Sequence, residues 1–251
     1  MNAEETKTGH VRRFVWLGIF AAAMGALEAI VVVYLRELYH PAGFQFPMTP
    51  VPHTTLLMEM LRESCTIVML AAVSAAVTKK FSLRFSSFVF IFGVWDLLYY
   101  LSLKLLLDWP PSLFTWDILF LIPVAWTGPV LAPLVVSLTL IGLGLLVGRL
   151  DRKYGMVRIG AAAWALMGLG AFVIFLTFIR DYSKIIIEGG FLADFGRLAQ
   201  DQAFQAALAS YVPRHFPWSA FVFGEALLLA GATVLYRRTT RDAGIVGGTD
   251  R

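Results

Sequence analysis

Six stretches of mostly apolar residues divide the chain: 14–35, 54–77, 87–107, 129–147, 159–179 and 218–236. An α-helix needs about 20 such residues to cross the hydrocarbon core of a bilayer. Runs of that length at this spacing leave little choice of fold. The expectation is an all-α, polytopic transmembrane bundle of six spans. Composition agrees, with 58% hydrophobic and 15% charged residues against roughly 45–50% and about 25% in soluble domains. Residues 1–10 are polar, and the first apolar run is too long for the core of a signal peptide and lacks a small-residue cleavage site, so it reads as a retained span.

Orientation follows from the Lys and Arg residues near the span ends. With the N-terminus in the cytoplasm, 14 of the 21 Lys and Arg lie on the inner side, and every cytoplasmic segment carries a cluster. Six spans return the C-terminus to the same side. The expected layout is a cytoplasmic tail over 1–13, a transmembrane domain over 14–238 and a cytoplasmic tail over 239–251, in a bacterial-type inner membrane. The formal charge of +4 is thereby explained as an orientation signal, and the partner it implies is the lipid bilayer rather than nucleic acid. A single cysteine, Cys65, rules out a disulfide within the chain.

Two connecting segments are more than simple loops. The stretch 108–129, DWPPSLFTWDILFLIPVAWTGP, is broken by Pro123 and the Gly128-Pro129 pair, which interrupt a helix. A short interfacial or re-entrant helix is expected near 112–121, with Trp109, Trp116 and Trp126 forming an aromatic belt at the headgroups. In 181–217, Phe191, Leu192, Phe195 and Leu198 share one helical face, and Phe204, Leu208 and Tyr211 share another. This predicts one or two amphipathic helices near 191–211, lying on the outer leaflet or covering the bundle.

The informative residues are acids inside the spans. Glu28, Glu63, Asp96 and Glu225 come from four different helices, at depths of about 10–16 Å from the outer ends. A charged group at a helix centre costs about 2.5–3.5 kcal/mol, so four cost on the order of 10 kcal/mol. They are expected to face inward as one cluster. Arg62 is the one cation clearly within that zone, and it is expected to pair with Glu59 three residues before it or with an acid on a neighbouring span. Asp96, Tyr99 and Tyr100 share a face at i, i+3 and i+4, and Lys104, one turn further on, reads as a snorkelling interface residue.

A second group lies at the outer boundary: Glu37, His40, His53, Glu59, Asp117 and His215. The Glu37-Leu-Tyr-His40 spacing places two metal ligands on one helical face. Di-iron bundles use that motif twice, and it occurs once here. Glu28 and Glu37 are nine residues apart and on opposite faces, so the deep acids and the outer group are separate candidate sites.

The segments FGVWDLLYYLSLKLLLDWPPSLFTWDILFLIPVAWTGPVLAP at 92–133 and GALEAIVVVYLRELYHP at 25–41 resemble an uncharacterised family of bacterial polytopic integral-membrane proteins. The resemblance covers the first three spans and the segment after them, and it brings no functional residue with it. No Walker loop, HExxH, GxSxG or GxGxxG occurs.

Three functional readings follow. In a metal-dependent membrane enzyme or redox component, a divalent metal would offset two or more carboxylates at once. In a non-catalytic subunit or assembly factor, the acids would pair with a basic membrane-protein partner or with a second copy in a homo-oligomer. In a proton- or cation-coupled transporter, the acids would bind the driving ion. The last is weakened by the lack of an internal repeat, since spans four and five carry no acid.

Overall fold

The computed structural model describes residues 3–41, 43–47, 51–155, 157–192 and 201–248. Its elements run α1 (Ala3–Tyr39), α2 (His53–Val77), α3 (Phe81–Leu107), β1 (Trp116–Phe120), β2 (Trp126–Pro129), α4 (Leu131–Tyr154), α5 (Ala161–Glu188), α6 (Gln202–Ala209) and α7 (Trp218–Gly248). All helices except α6 are long and apolar enough to cross a membrane, which makes six spans as expected. Large apolar side chains such as Trp16, Val68, Leu105, Phe172 and Val222 are more than half exposed around the bundle. Only a lipid environment makes that exposure favourable, because apolar surface in water is costly.

The helices overrun the apolar cores that define them. α1 has 37 residues, about 55 Å at helical rise, so the polar segment assigned to an N-terminal tail continues the first span as helix. α7 likewise runs through the segment assigned to a C-terminal tail. An even number of spans brings both termini to one end. The hairpin β1–β2 lies at the other, called here the hairpin end.

α3 is the central helix, lying along α1 on one side and α4 on the other, while α5 pairs with α7. α2 is attached differently. Its buried residues are Glu63, Thr66, Leu70 and Ser74, a single narrow stripe in which only Leu70 is apolar. Close approach of the other helices depends on small residues. A Cβ placed on Gly93 would lie 2.5 Å from the Ser137 carbonyl of α4, and one on Gly144 would lie 2.7 Å from the Phe90 Cβ of α3. Gly148 faces the Phe14 ring of α1. The Gly144–Gly148 spacing thus serves packing within the chain.

The segment near 112–121 is a correction: it forms a β-hairpin, not a helix. Trp116 pairs with Pro129, Asp117 with Gly128, Ile118 with Thr127 and Phe120 with Trp126, with a bulge between Ile118 and Phe120. Pro110-Pro111 and Pro123 deny a helix the amides it needs at either end. The intervening Trp-Asp-Ile-Leu-Phe is rich in strand-favouring side chains. Pairing the two strands lets the segment satisfy much of its own backbone while buried in protein. The tryptophans also depart from the expected belt. Trp109 is buried, and Trp116 and Trp126 pack against the central core.

Between α5 and α7, Asp201 caps α6 by accepting hydrogen bonds from the amides of Ala203 and Phe204. Phe204 and Leu208 pack on Tyr182, Ile185 and Ile186 of α5, so this amphipathic piece covers the bundle rather than lying free. The proposed first piece falls largely on 193–200, outside the described residues.

Gly93→Ala is expected to destabilise the protein by about 1–3 kcal/mol, because the helices must part to admit a methyl group. Gly142→Ala, where nothing lies within 4 Å of the added carbon, is expected to change stability by no more than about 0.5 kcal/mol. Thermal unfolding of the two variants in one detergent checks the contrast.

Candidate functional site

Three of the four expected intramembrane acids converge, joined by residues of the hairpin. They line a cavity of about 470 Å³ between α1, α2, α3 and the hairpin, covered in part by α6. Below Trp95 the space between the helices is filled by Leu17, Ala21, Leu70, Phe90 and Ile91, so the cavity stops there. It occupies the half of the bundle at the hairpin end.

Arg62 organises its α1–α2 wall. The guanidinium donates to Glu28 of α1 and, at 2.8 Å, to Glu59 one turn earlier on α2. The Thr66 hydroxyl donates to the other Glu28 oxygen at 3.4 Å. Glu63, one residue after Arg62, turns towards the hairpin, where its Oε2 accepts the Leu121 amide at 2.9 Å. That donor is free because the chain there is not helical.

The opposite wall is built around a second arginine, Arg36, which directly follows the first apolar run. Arg36 is 8% exposed. Its Nη2 lies 3.4 Å from Asp117 of β1, and its guanidinium carbon stacks 3.8 Å from the Trp109 ring centre and 4.6 Å from that of Phe44. The Tyr100 hydroxyl donates to the other Asp117 oxygen at 3.1 Å. Tyr100 therefore acts from behind the wall, whereas Tyr99 lines the cavity itself. Asp96 forms part of the floor, its Oδ2 accepting the Ser137 hydroxyl of α4 at 2.7 Å.

The signal for Arg36 was present but unread. The first helix continues to Tyr39, and Arg36, eight residues after Glu28, sits only about 80° away around it. The same geometry turns Glu37 outward, and it is exposed.

Glu225 is a correction to the expected cluster. Its Oε2 accepts the Thr139 hydroxyl of α4 at 2.7 Å, and it does not line the cavity. α7 packs on α4 and α5, on the far side of the central helix. Similar depth does not bring side chains together when a helix stands between them. Lys104 behaves as an interface residue, pairing with Asp108 at 2.6 Å, whose carboxyl its hydrogen bond and charge hold below the usual range.

The outer histidine group divides. His40, His53, Glu59 and Asp117 line the cavity, whereas Glu37 and His215 are exposed elsewhere. His40 lies just beyond the end of α1 and meets the Phe44 ring edge-on at 5.4 Å. The Glu-x-x-His spacing therefore does not deliver a shared helical face. Among the described residues, no three His, Cys, Asp or Glu side chains are placed to hold a metal ion together. At the rim, Tyr211 donates to Asp181 of α5. Burial, and then that carboxylate, hold its phenol well above the ordinary range.

No protein family, curated protein or solved structure matches this chain. Its function has to be read from the cavity.

Chemically, the cavity holds five carboxylates and two guanidinium groups. Arg62 serves Glu28 and Glu59, and Arg36 serves Asp117. Glu63 and Asp96 have neutral hydrogen-bond donors and no cation within ion-pair distance. Such groups can exchange protons with whatever enters.

Two outcomes test this geometry. Arg62→Gln is expected to cost about 3 kcal/mol, because it leaves the buried Glu28 and the half-buried Glu59 without a counter-charge. Adding Glu28→Gln to it should recover part of the loss, as a double-mutant cycle of unfolding free energies would record. Burial, and then the Arg36 charge, lower the pKa of His40 from 6.5. Its imidazole should therefore titrate below 6.5 in nuclear magnetic resonance spectra, and Arg36→Gln should move the midpoint up.

Proposed function

We propose that this chain is a membrane-embedded enzyme that performs acid–base chemistry on a small, partly apolar molecule held in the cavity. The Lys and Arg distribution supports a bacterial-type inner membrane with both termini in the cytoplasm. On that reading the hairpin end faces outward and the substrate enters from the outer half of the bilayer.

One observation carries the proposal: Glu63 and Asp96 face a ligand-sized cavity with no cation within ion-pair distance among the described residues. Pockets for small molecules are mostly apolar, measure about 300–1,000 Å³ and hold a few convergent polar groups. This one has apolar and aromatic walls with its charges concentrated along α1, α2, α3 and β1. Glu63 is the better proton acceptor or donor, since its position is fixed by the Leu121 amide and one oxygen remains for a substrate. Asp96 and Tyr99 supply a second hydrogen-bonding side, and the guanidinium groups stabilise negative charge that develops nearby. The metal-dependent form of the enzyme reading gains no support from the placement of His40, His53, Glu59 and Asp117. The subunit reading is weakened, because Glu28 pairs with Arg62 inside the chain and Glu63 and Asp96 line the cavity between the helices.

A carrier is the second reading. A cavity closed below Trp95 and reaching only one end of the bundle has the form of one state of alternating access.

The test is incubation of the protein in nanodiscs with a small-molecule extract, followed by untargeted mass spectrometry. The expected result is depletion of one mass and growth of another, slowed at least ~100-fold by Glu63→Gln with the thermal midpoint retained. Binding without conversion, together with uptake into proteoliposomes, would select the carrier. No bound and no converted species would remove both.

A further inference from the structure

We infer that the occupant of the cavity is an organic cation, a protonated amine or similar nitrogen cation on an apolar body. This rests on the reading of the cavity as a ligand site, and it names the class of ligand.

The charges favour it. Of five cavity carboxylates, Glu28 and Glu59 share Arg62, and Asp117 has Arg36. Each guanidinium thus has an acid on its own side of the cavity, with Arg36 Nη1 the one guanidinium nitrogen of the pair that is buried without a hydrogen-bond partner among the described residues. Glu63 is 6% exposed and commits one oxygen to the Leu121 amide. Asp96 commits one oxygen to Ser137. The second oxygen of each has no hydrogen-bond donor among the described residues. With its carboxylates ionised the site is negative overall, so an entering cation is attracted where an anion would be repelled. Burying such carboxylates unpaired is costly, and a positive ligand lowers that cost directly.

A bare metal ion suits the site poorly. A divalent cation draws several oxygen or nitrogen ligands to within about 2–2.6 Å of one point. Among the described residues no three His, Cys, Asp or Glu side chains come together in that way. An ammonium group makes a milder demand, needing one or two carboxylate oxygens and the faces of aromatic rings. Trp95, Tyr99 and Phe120 supply rings around the same space. The volume of about 470 Å³ leaves room for an apolar body beside the charged nitrogen.

The experiment compares three probes of one shape, phenylbutylammonium, phenylbutanol and phenylbutyrate, by equilibrium binding to the protein in nanodiscs, with empty nanodiscs subtracted. The ammonium is expected to bind saturably, and the alcohol and the carboxylate at least ~10-fold more weakly, the factor for about 1.4 kcal/mol. Glu63→Gln and Asp96→Asn, close in shape to the native side chains, should each weaken the ammonium by about the same factor. Unchanged thermal midpoints exclude misfolding as the cause. The inference is overturned if the ammonium shows no saturable binding, if the alcohol or carboxylate matches it, or if neither substitution affects it. Binding of the alcohol or carboxylate as tight as that of the ammonium, and lost in Leu119→Trp, whose larger side chain narrows the cavity, would overturn the cation while keeping the ligand site.

Discussion

Arg62 joins α2 to α1 through Glu28, holding two helices at a distance that only long polar side chains can span. α2 has little else with which to grip the bundle, since its buried stripe contains one large apolar residue, Leu70. In a bilayer the hydrophobic effect gives helices no reason to associate, so packing and polar contacts carry the burden. An ion pair suits that role in a medium where opposite charges screen poorly. The consequence is architectural. Where α3 meets α1 and α4, small residues bring backbones into contact and no space remains. Where α2 meets α1, the polar side chains act as spacers, and the cavity is what they hold open.

The hairpin completes the site by a different physical route. Backbone amides inside a helix are already bonded, so a bundle of helices alone offers few donors at mid-membrane depth. Replacing helix with a short strand pair frees the Leu121 amide for Glu63 and places Asp117 between Arg36 and Tyr100. Trp109 stacks on the Arg36 guanidinium, so the cation is desolvated without being left unsupported. Proline residues at both ends of this segment are thus a condition for these contacts as well as for the turn. They keep the chain out of a conformation in which its polar groups would be spent on one another.

The parts of this protein that were legible in advance rest on properties that each residue carries alone. Six apolar runs become six helices because most residues in them prefer lipid wherever their neighbours are. Glu28, Glu63 and Asp96 turn inward because each ionised carboxylate is too costly against lipid on any arrangement of the bundle. Lys104 ends at the interface for the same local reason. Depth along each helix was also readable, since helical rise is fixed. Angular position was readable only within a helix, as with Glu37 facing away from Glu28.

Neighbour relations between helices were another matter, and there the tertiary structure decided. Glu225 lies at a similar depth to the other acids yet belongs to α4 and α5, because α3 and α4 stand between it and the cavity. Arg36 became an interior cation because α1 extends past its apolar core and the hairpin brings Asp117 to meet it, 81 residues further along the chain. The sequence alone determined a six-span bundle with acids that had to be buried. Which acids share a cavity, which cations answer them and which two are left facing empty space depend on lateral packing, and hydropathy carries no information about direction around a bundle.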